Sequence, residues 1–340
     1  MSFSRQKIND YTKKVLEFAH SHFLAFKHSF NLSLEQDNLK KIKKNDILLF
    51  STMKNETFRL PYFLKYYREL GVDHFIFIDN NSDDGMMELL RGQKDVSVYF
   101  TDKSYKDSHF GVYWLNYLLK KYGSKHWCLT LDPDEFLVYP HIDSQNLREL
   151  TTYLDKQNIK SFFAPLIDMY SDIHIETTFY SPGDNPFKIC PYFDKNSFTI
   201  TGYSKDYRSN ILKGGVRQRV FNKENPQRAP LLNKTPLIKW KKHYAYLHST
   251  HFAIPIFLNK NDDPSLPTGA LLHFKFLDKI IDKISVEMEA KQHWDDSYEY
   301  KQYDKVLKDR ELLYDIDISV KYRDWHTLED LGLIRSGKMK

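Results

Sequence analysis

The sequence predicts an α/β protein, a mixed sheet with helices on both faces, preceded by a helical arm. Three observations carry that reading. Short apolar runs alternate with helix-like segments through residues 46–140, the order of a doubly wound sheet. Those runs are continuously apolar, as strands covered on both faces are. Three of them run into carboxylates, and ligands sit at the carboxyl edge of an open parallel sheet.

The arm spans residues 1–45. It holds nine Lys or Arg and four Asp or Glu, so the whole net charge of +5 lies there and the rest of the chain is neutral. That distribution is not the broad basic footprint of a nucleic-acid binder. Tyr11, Val15, Ala19, Phe23, Phe26 and Phe30 recur at three- and four-residue steps, with Lys13, Lys14 and Lys27 among them. Such a stripe suits an interfacial helix on an anionic membrane, or equally a helix docked on its own domain. The run Lys40 to Lys44 reads as a solvated linker.

Ile47 to Met53 reads as the first buried strand, running into Lys54, Asn55 and Glu56. A helix follows, with Pro61 in its first turn and Gly71 as its stop. His74 to Asp79 is a second strand, ending in the polar turn Asn80 to Gly85, which can cap the next helix. Val96 to Phe100 is a third. Phe110 to Tyr122 reads as an aromatic helix with Gly123 beyond it. The apolar run Trp127 to Leu131 then meets Asp132, Asp134 and Glu135, and a second apolar run, Phe136 to Tyr139, follows at once. Asp132 and Asp134 are two apart, so an extended chain projects both to one face, with Pro133 stiffening the pair. Two hard oxygen ligands there suit a Mg²⁺ or Mn²⁺ that also takes phosphate oxygens; a solvated acidic turn is the plainer alternative.

Residues 141–335 are less periodic and read as the second half of one domain, 46–335. Ser144 to Lys156 is helical, and Ser161 to Tyr170 reads as a strand delivering Asp168. The polar, aromatic stretch 171–211 has the character of a binding loop; Tyr180, Tyr192, Phe193 and Tyr203 could stack on sugars or simply pack. Gly214 and Gly215 precede what reads as a strand with Arg217 and Arg219 on one face, suited to phosphate. His248 and His251 make a weak metal pair and a better pair of buried histidines. In Gly269 to Phe276 an apolar run carries His273 and Lys275 two apart. Residues 278–310 read as helical and charged.

Whole classes are excluded. There is no Gly-x-Gly-x-x-Gly, no Gly-x-x-x-x-Gly-Lys and no Gly-x-Ser-x-Gly, which disfavours dinucleotide redox, P-loop and nucleophile-elbow chemistry. The two cysteines, Cys128 and Cys190, form no Cys-x-x-Cys pair, so zinc and disulfide frameworks are not expected. No apolar run approaches ~18 residues and the start lacks a signal-like apolar segment. A cytoplasmic protein is expected, peripheral at the inner membrane face if the arm binds there.

Four motifs in order resemble a bacterial glycosyltransferase of the family 2-like kind: Lys54 to Glu56, Tyr66 to His74, Ile78 to Gly85, and Asp132 to Phe136. The likeness covers roughly residues 46–335. It implies a Rossmann-like GT-A fold, residues 46–140 binding a nucleotide-sugar and 141–335 the acceptor, with a divalent Mn²⁺ or Mg²⁺ under the diphosphate. By the resemblance, Glu56 and Asp79, flanked by Lys54 and Asn80, hold the nucleoside. Asp132 holds ribose and metal, Asp134 and His273 complete the metal site, and Arg217, Arg219 and Lys275 meet the diphosphate. One departure is Asn80 and Asn81, where many relatives have an acid and a glycine. The implied reaction is transfer from a nucleotide-sugar, a UDP-sugar being the first expectation, to a glycan or lipid-linked acceptor in surface polysaccharide synthesis, with inversion. Asp168 is the candidate base, with Asp172 and Asp184 next. Rival readings are a carboxylate-pair glycosidase and a nucleotide-sugar-binding protein without turnover.

Overall fold

The computed structural model describes residues 18–247, 249–281, 284 and 294–339. The strands are β1 (Ser33–Gln36), β2 (Ile47–Met53), β3 (His74–Asp79), β4 (Val96–Phe100), β5 (Trp127–Thr130), β6 (Glu135–Val138), β7 (Ser161–Phe162), β8 (Leu166–Asp168), β9 (Tyr192–Asp194), β10 (Thr199–Ser204), β11 (Ser209–Lys213), β12 (Leu237–Lys239), β13 (Ala245–Tyr246), β14 (Ala253–Ile254), β15 (Ala270–His273) and β16 (Ser319–Lys321). The main sheet has seven strands in the order β1-β4-β3-β2-β5-β12-β7. Its centre, β4 to β5, is parallel; β1, β12 and β7 add antiparallel edges. This is a mixed α/β sheet compatible with a Rossmann-like fold.

Residue alternation explains how both faces are covered. Leu48, Phe50, Ile76 and Ile78 face one cluster with Trp114, Leu118 and Trp240. Ile47, Leu49, Phe75 and Phe77 face another with Phe63, Leu64 and Tyr67. The latter three lie on the helix Leu60–Leu70 at helical spacing, and burying each such side chain stabilises the fold by about 1.5–3 kcal/mol. Gly71 ends this helix at φ 101°, a left-handed conformation that a β-branched residue would adopt only with strain.

At the Asp132 turn the chain changes sheets. β5 belongs to the main sheet, whereas β6 belongs to a three-stranded one in the order β6-β15-β8. The segment Ser161 to Tyr170, expected as one strand, does the same. β7 pairs with β12, β8 pairs with β15, and the break falls at Pro165, which has no N–H to continue a ladder. The apolar cluster that includes Phe63 also takes in Phe136, Leu271, Trp325 and Leu333, so residues 46–140 and 141–335 share a core. The stretch 171–211 is more ordered than a loop. It contains a short helix (Pro186–Ile189), β9, β10 and part of β11.

Residues 18–29 are helical. Ala25 and Ser21 are buried and the His28 ring lies 5.0 Å from Tyr113, so the helix docks through its small-residue face. Phe23, Phe26 and Phe30 point outward, 62%, 57% and 76% exposed. The aromatic stripe is therefore not the docking face. Tyr11, Lys13, Lys14 and Val15 lie outside the described residues, as do His248 and part of the expected helix 278–310. Among the described residues no helix is long and apolar enough to cross a membrane.

Candidate functional site

Glu56, Asp79 and the Asp132–Asp134 turn follow or end β2, β3 and β5, three adjacent parallel strands, so the fold gathers these acids at one sheet edge. Asp132 to Glu135 is a tight turn rather than extended chain: the Glu135 N–H donates to the Asp132 carbonyl at 3.1 Å. The expectation of two carboxylates projected in parallel from a strand is corrected accordingly. The turn arises because Pro133 stands where the chain leaves one sheet for the other. Asp132 faces Lys234 (3.6 Å) and is half exposed, while Asp134 faces His273 (3.3 Å to Nε2).

His273 is placed by strand register. In β15 it lies opposite Glu135 of β6 and opposite Asp168 of β8. The strand can approach this closely because Gly269 precedes it; a Cβ there would come within 2.5 Å of the Val138 carbonyl. His273 Nδ1 is 2.7 Å from Asp168 Oδ1. Burial works against a charged imidazole, but Asp134 and Asp168 outweigh it and lift His273 to about 9. Held at Nδ1 by one carboxylate, the ring turns Nε2 towards the other.

Asp168 is buried between His273 and Arg217, whose Nε donates to Oδ2 at 2.7 Å. Despite burial, Arg217 and His273 hold its carboxyl below the usual carboxylate range. Both oxygens are engaged and 1% of the side chain is exposed, so the expected role as proton acceptor from a substrate does not fit. Asp172 and Asp184 are exposed; Asp184 also accepts the Ser181 N–H at 2.9 Å.

Arg217 and Arg219 do not share a strand face. They lie on a wide helical turn, Arg217–Phe221, where residues two apart point in diverging directions. Arg217 reaches Asp168 and Glu299 (3.3 Å). Arg219 instead grips Asp194 with two bonds of 2.8 and 3.0 Å and donates to the Leu313 carbonyl. The preceding glycines allow the turn to nest on the chain at Ser197: at Gly214, φ is 149° and a Cβ would meet the Phe198 backbone at 2.8 Å.

Lys275 lies beyond the end of β15. It is 3.7 Å from Glu299 and over the Tyr300 and Tyr303 rings. Burial would raise Glu299, but Lys275 and Arg217 bring it down to about 2, with the Tyr303 hydroxyl also donating to it. An ionic chain thus runs from Asp134 through His273, Asp168, Arg217 and Glu299 to Lys275.

The other expected ligands have partners of their own. Glu56 is buried and paired with Arg59 at 2.6 Å. Asp79 accepts the Ser82 N–H at 3.0 Å; burial raises its carboxyl, with Ser82 and Lys54 opposing. Lys54 is exposed. The Asn80 amide donates to the Thr101 and Lys103 carbonyls at 3.1 and 2.9 Å, bracing the loop after β4. His251 is partly buried, and desolvation with nearby Lys234 holds it down to about 3, so it is a neutral histidine, its Nδ1 beside the Asn233 carbonyl.

Sequence reasoning missed Lys234, Arg59 and Glu299. Lys234 is buried, 3.0 Å from Glu135 and 2.8 Å from the Thr250 hydroxyl. Its signal was a lysine three residues before Leu237, where β12 begins. Among the described residues no three His, Cys, Asp or Glu side chains converge as a ready-made metal cage. Asp134 and His273 lie 3.3 Å apart; with the Nε2 proton released on binding, they would offer an oxygen and a nitrogen that suit Mn²⁺ and leave positions for substrate oxygens. The chain matches no protein-family model and none of the curated proteins.

Proposed function

We propose that the chain is a divalent-metal-dependent glycosyltransferase with a GT-A-like fold, moving a sugar from a nucleotide-sugar to a glycan or lipid-linked acceptor. The observation that carries this reading is the contact between Asp134 and His273 at the carboxyl edge of the parallel strands, with Nδ1 of His273 secured by Asp168. Mg²⁺ and Mn²⁺ bound to few protein groups characteristically take the rest of their shell from substrate phosphate and water. In this reading Asp134 and His273 hold the ion, with Asp132 close by. Glu56 and Asp79 lie beside the nucleoside, a UDP-sugar being the first donor to test. The metal, when bound, neutralises charge on the leaving diphosphate.

The protein's own residues do the rest. Asp168 orients the imidazole and Arg217 holds Asp168. Lys275, at the end of the ionic chain, offers a point charge towards the diphosphate. An exposed acid, Asp172 or Asp184, takes the proton of the acceptor hydroxyl, and resemblance points to inversion. The setting proposed is bacterial surface polysaccharide synthesis on the cytoplasmic side, with the outward Phe23, Phe26 and Phe30 resting on the membrane that carries lipid-linked acceptors.

A thermal-shift screen of nucleotide-sugars with and without Mn²⁺ tests the reading, because a ligand that binds the folded state raises its apparent stability. At a hundredfold excess over Kd the gain is about 2.7 kcal/mol. One nucleotide class should raise Tm only with Mn²⁺, and Asp134→Asn should abolish that gain. Metal-independent shifts, or shifts unchanged in Asp134→Asn, would refute it.

A further inference from the structure

A cavity of about 570 Å³ opens near the far end of β6, away from the acidic turn, with Val138 in its wall. Glu135 and Val138 are about 10 Å apart along a strand. Its floor is aromatic. Tyr66 and Phe187 stack at 5.8 Å, and Tyr322 lies 5.8 Å from Phe187. Its rim is cationic: Lys188, Lys321 and Arg323 line it and are exposed. Among the described residues none of these three enters an ion pair. The acid in the lining, Asp143, already accepts the Trp325 indole N–H at 3.2 Å.

Flat rings beside unpaired cations match a ligand with apolar C–H faces and repeated negative charge. A pyranose carrying a carboxylate has both: the ring packs on the aromatic face, and the acid meets lysine or guanidinium. The groove's floor also packs against the elements that carry the candidate site. Phe187 packs 4.8 Å from Phe274, the residue between His273 and Lys275, and 5.6 Å from Phe136, one residue after Glu135.

We propose that this groove binds an acidic oligosaccharide, the part of the acceptor glycan remote from the growing end. The proposal rests on the glycosyltransferase reading for its biological sense, but the groove's ligand class follows from its own lining. It makes the enzyme select charged chains at a distance from the transfer site, so that Lys188, Lys321 and Arg323 govern acceptor affinity and not donor affinity.

Calorimetry on the full chain tests this with a short oligogalacturonate, against a neutral maltooligosaccharide of equal length. The acidic probe should bind about tenfold or more tightly than the neutral one, and added salt should weaken it. Lys188→Glu with Lys321→Glu, both at exposed positions, should weaken it about tenfold while leaving Tm and nucleotide binding unchanged. Equal affinity for the two saccharides, or an unaffected double variant, would overturn the proposal. So would tighter capture of a single-stranded oligonucleotide at the same residues. The two readings fail separately. Donor consumption without groove binding overturns the groove alone, whereas oligogalacturonate binding without any nucleotide-sugar response supports the groove and overturns the activity.

Discussion

Lys234 offers the sharpest test of how the acidic turn is held. Its Nζ is 3.0 Å from Glu135 Oε1, and the two side chains are 4% and 2% exposed. At that separation the gross attraction is about 5–6 kcal/mol for an effective dielectric of ~20. Removing one member of a buried pair costs about 3–5 kcal/mol, because the other charge is left uncompensated. Glu135 has an escape, however. Burial, against the pull of Lys234, already raises it to about 7 from the usual 4.5. A carboxyl whose folded pKa is raised binds its proton more tightly in the folded state. Its contribution to stability is therefore present below the unfolded pKa and is lost as pH rises through the folded one. Without Lys234 the folded value climbs further, and the window of loss extends to higher pH. Lys234→Met should then cost about 3–5 kcal/mol near pH ~9 but only about 1–2 near pH ~5, where Glu135 is neutral in both proteins and the lost bond to Thr250 remains. Urea denaturation across that pH range measures both. Adding Glu135→Gln should return most of the loss and flatten its pH dependence. A penalty equal at both pH values, or a double variant no better than the single one, would refute the argument.

Two further outcomes follow from the ionic chain and the arm. Asp168→Asn removes one of the two carboxylates that lift His273, so the ring should titrate well below about 9 in an NMR pH series; an unchanged midpoint would show that Asp134 alone sets it. Because the 3.3 Å contact to Asp134 survives, the ring should still titrate above an unpartnered histidine. Replacing Phe23, Phe26 and Phe30 by Ser removes exposed apolar area without touching the buried Ala25 face. Co-sedimentation with anionic liposomes should drop about tenfold or more at an unchanged Tm, and undiminished liposome binding would argue against a membrane-facing arm.

Much of the central sheet was legible in the sequence. Ile47–Met53, His74–Asp79 and Val96–Phe100 emerge as strands with the ends their apolar runs suggest, because strands covered on both faces have no polar positions to blur the pattern. Pro61 and Gly71 bracket the helix Leu60–Leu70 for equally local reasons. The clustering of Glu56, Asp79 and the Asp132 turn was readable too, since adjacent parallel strands present their carboxyl ends at one edge.

What only the tertiary structure decided is who pairs with whom. Asp168, expected to be free for a substrate proton, lies buried between His273 and Arg217, 105 and 49 residues away in sequence. No local pattern encodes contacts at that separation. Arg217 and Arg219 part company because two glycines redirect the chain into a helical turn, and the period of side-chain direction changes with it. Lys234 left almost no trace, since a lysine before a strand reads as surface until a buried glutamate is found opposite. The helix at residues 18–29 makes the same point from the other side. Its aromatic stripe was plain in the sequence, yet the contact face is centred on the small residues Ser21 and Ala25, with His28 against Tyr113. Hydrophobic periodicity reports which side of a helix avoids water, whereas docking is decided by which side allows close approach of the neighbouring element.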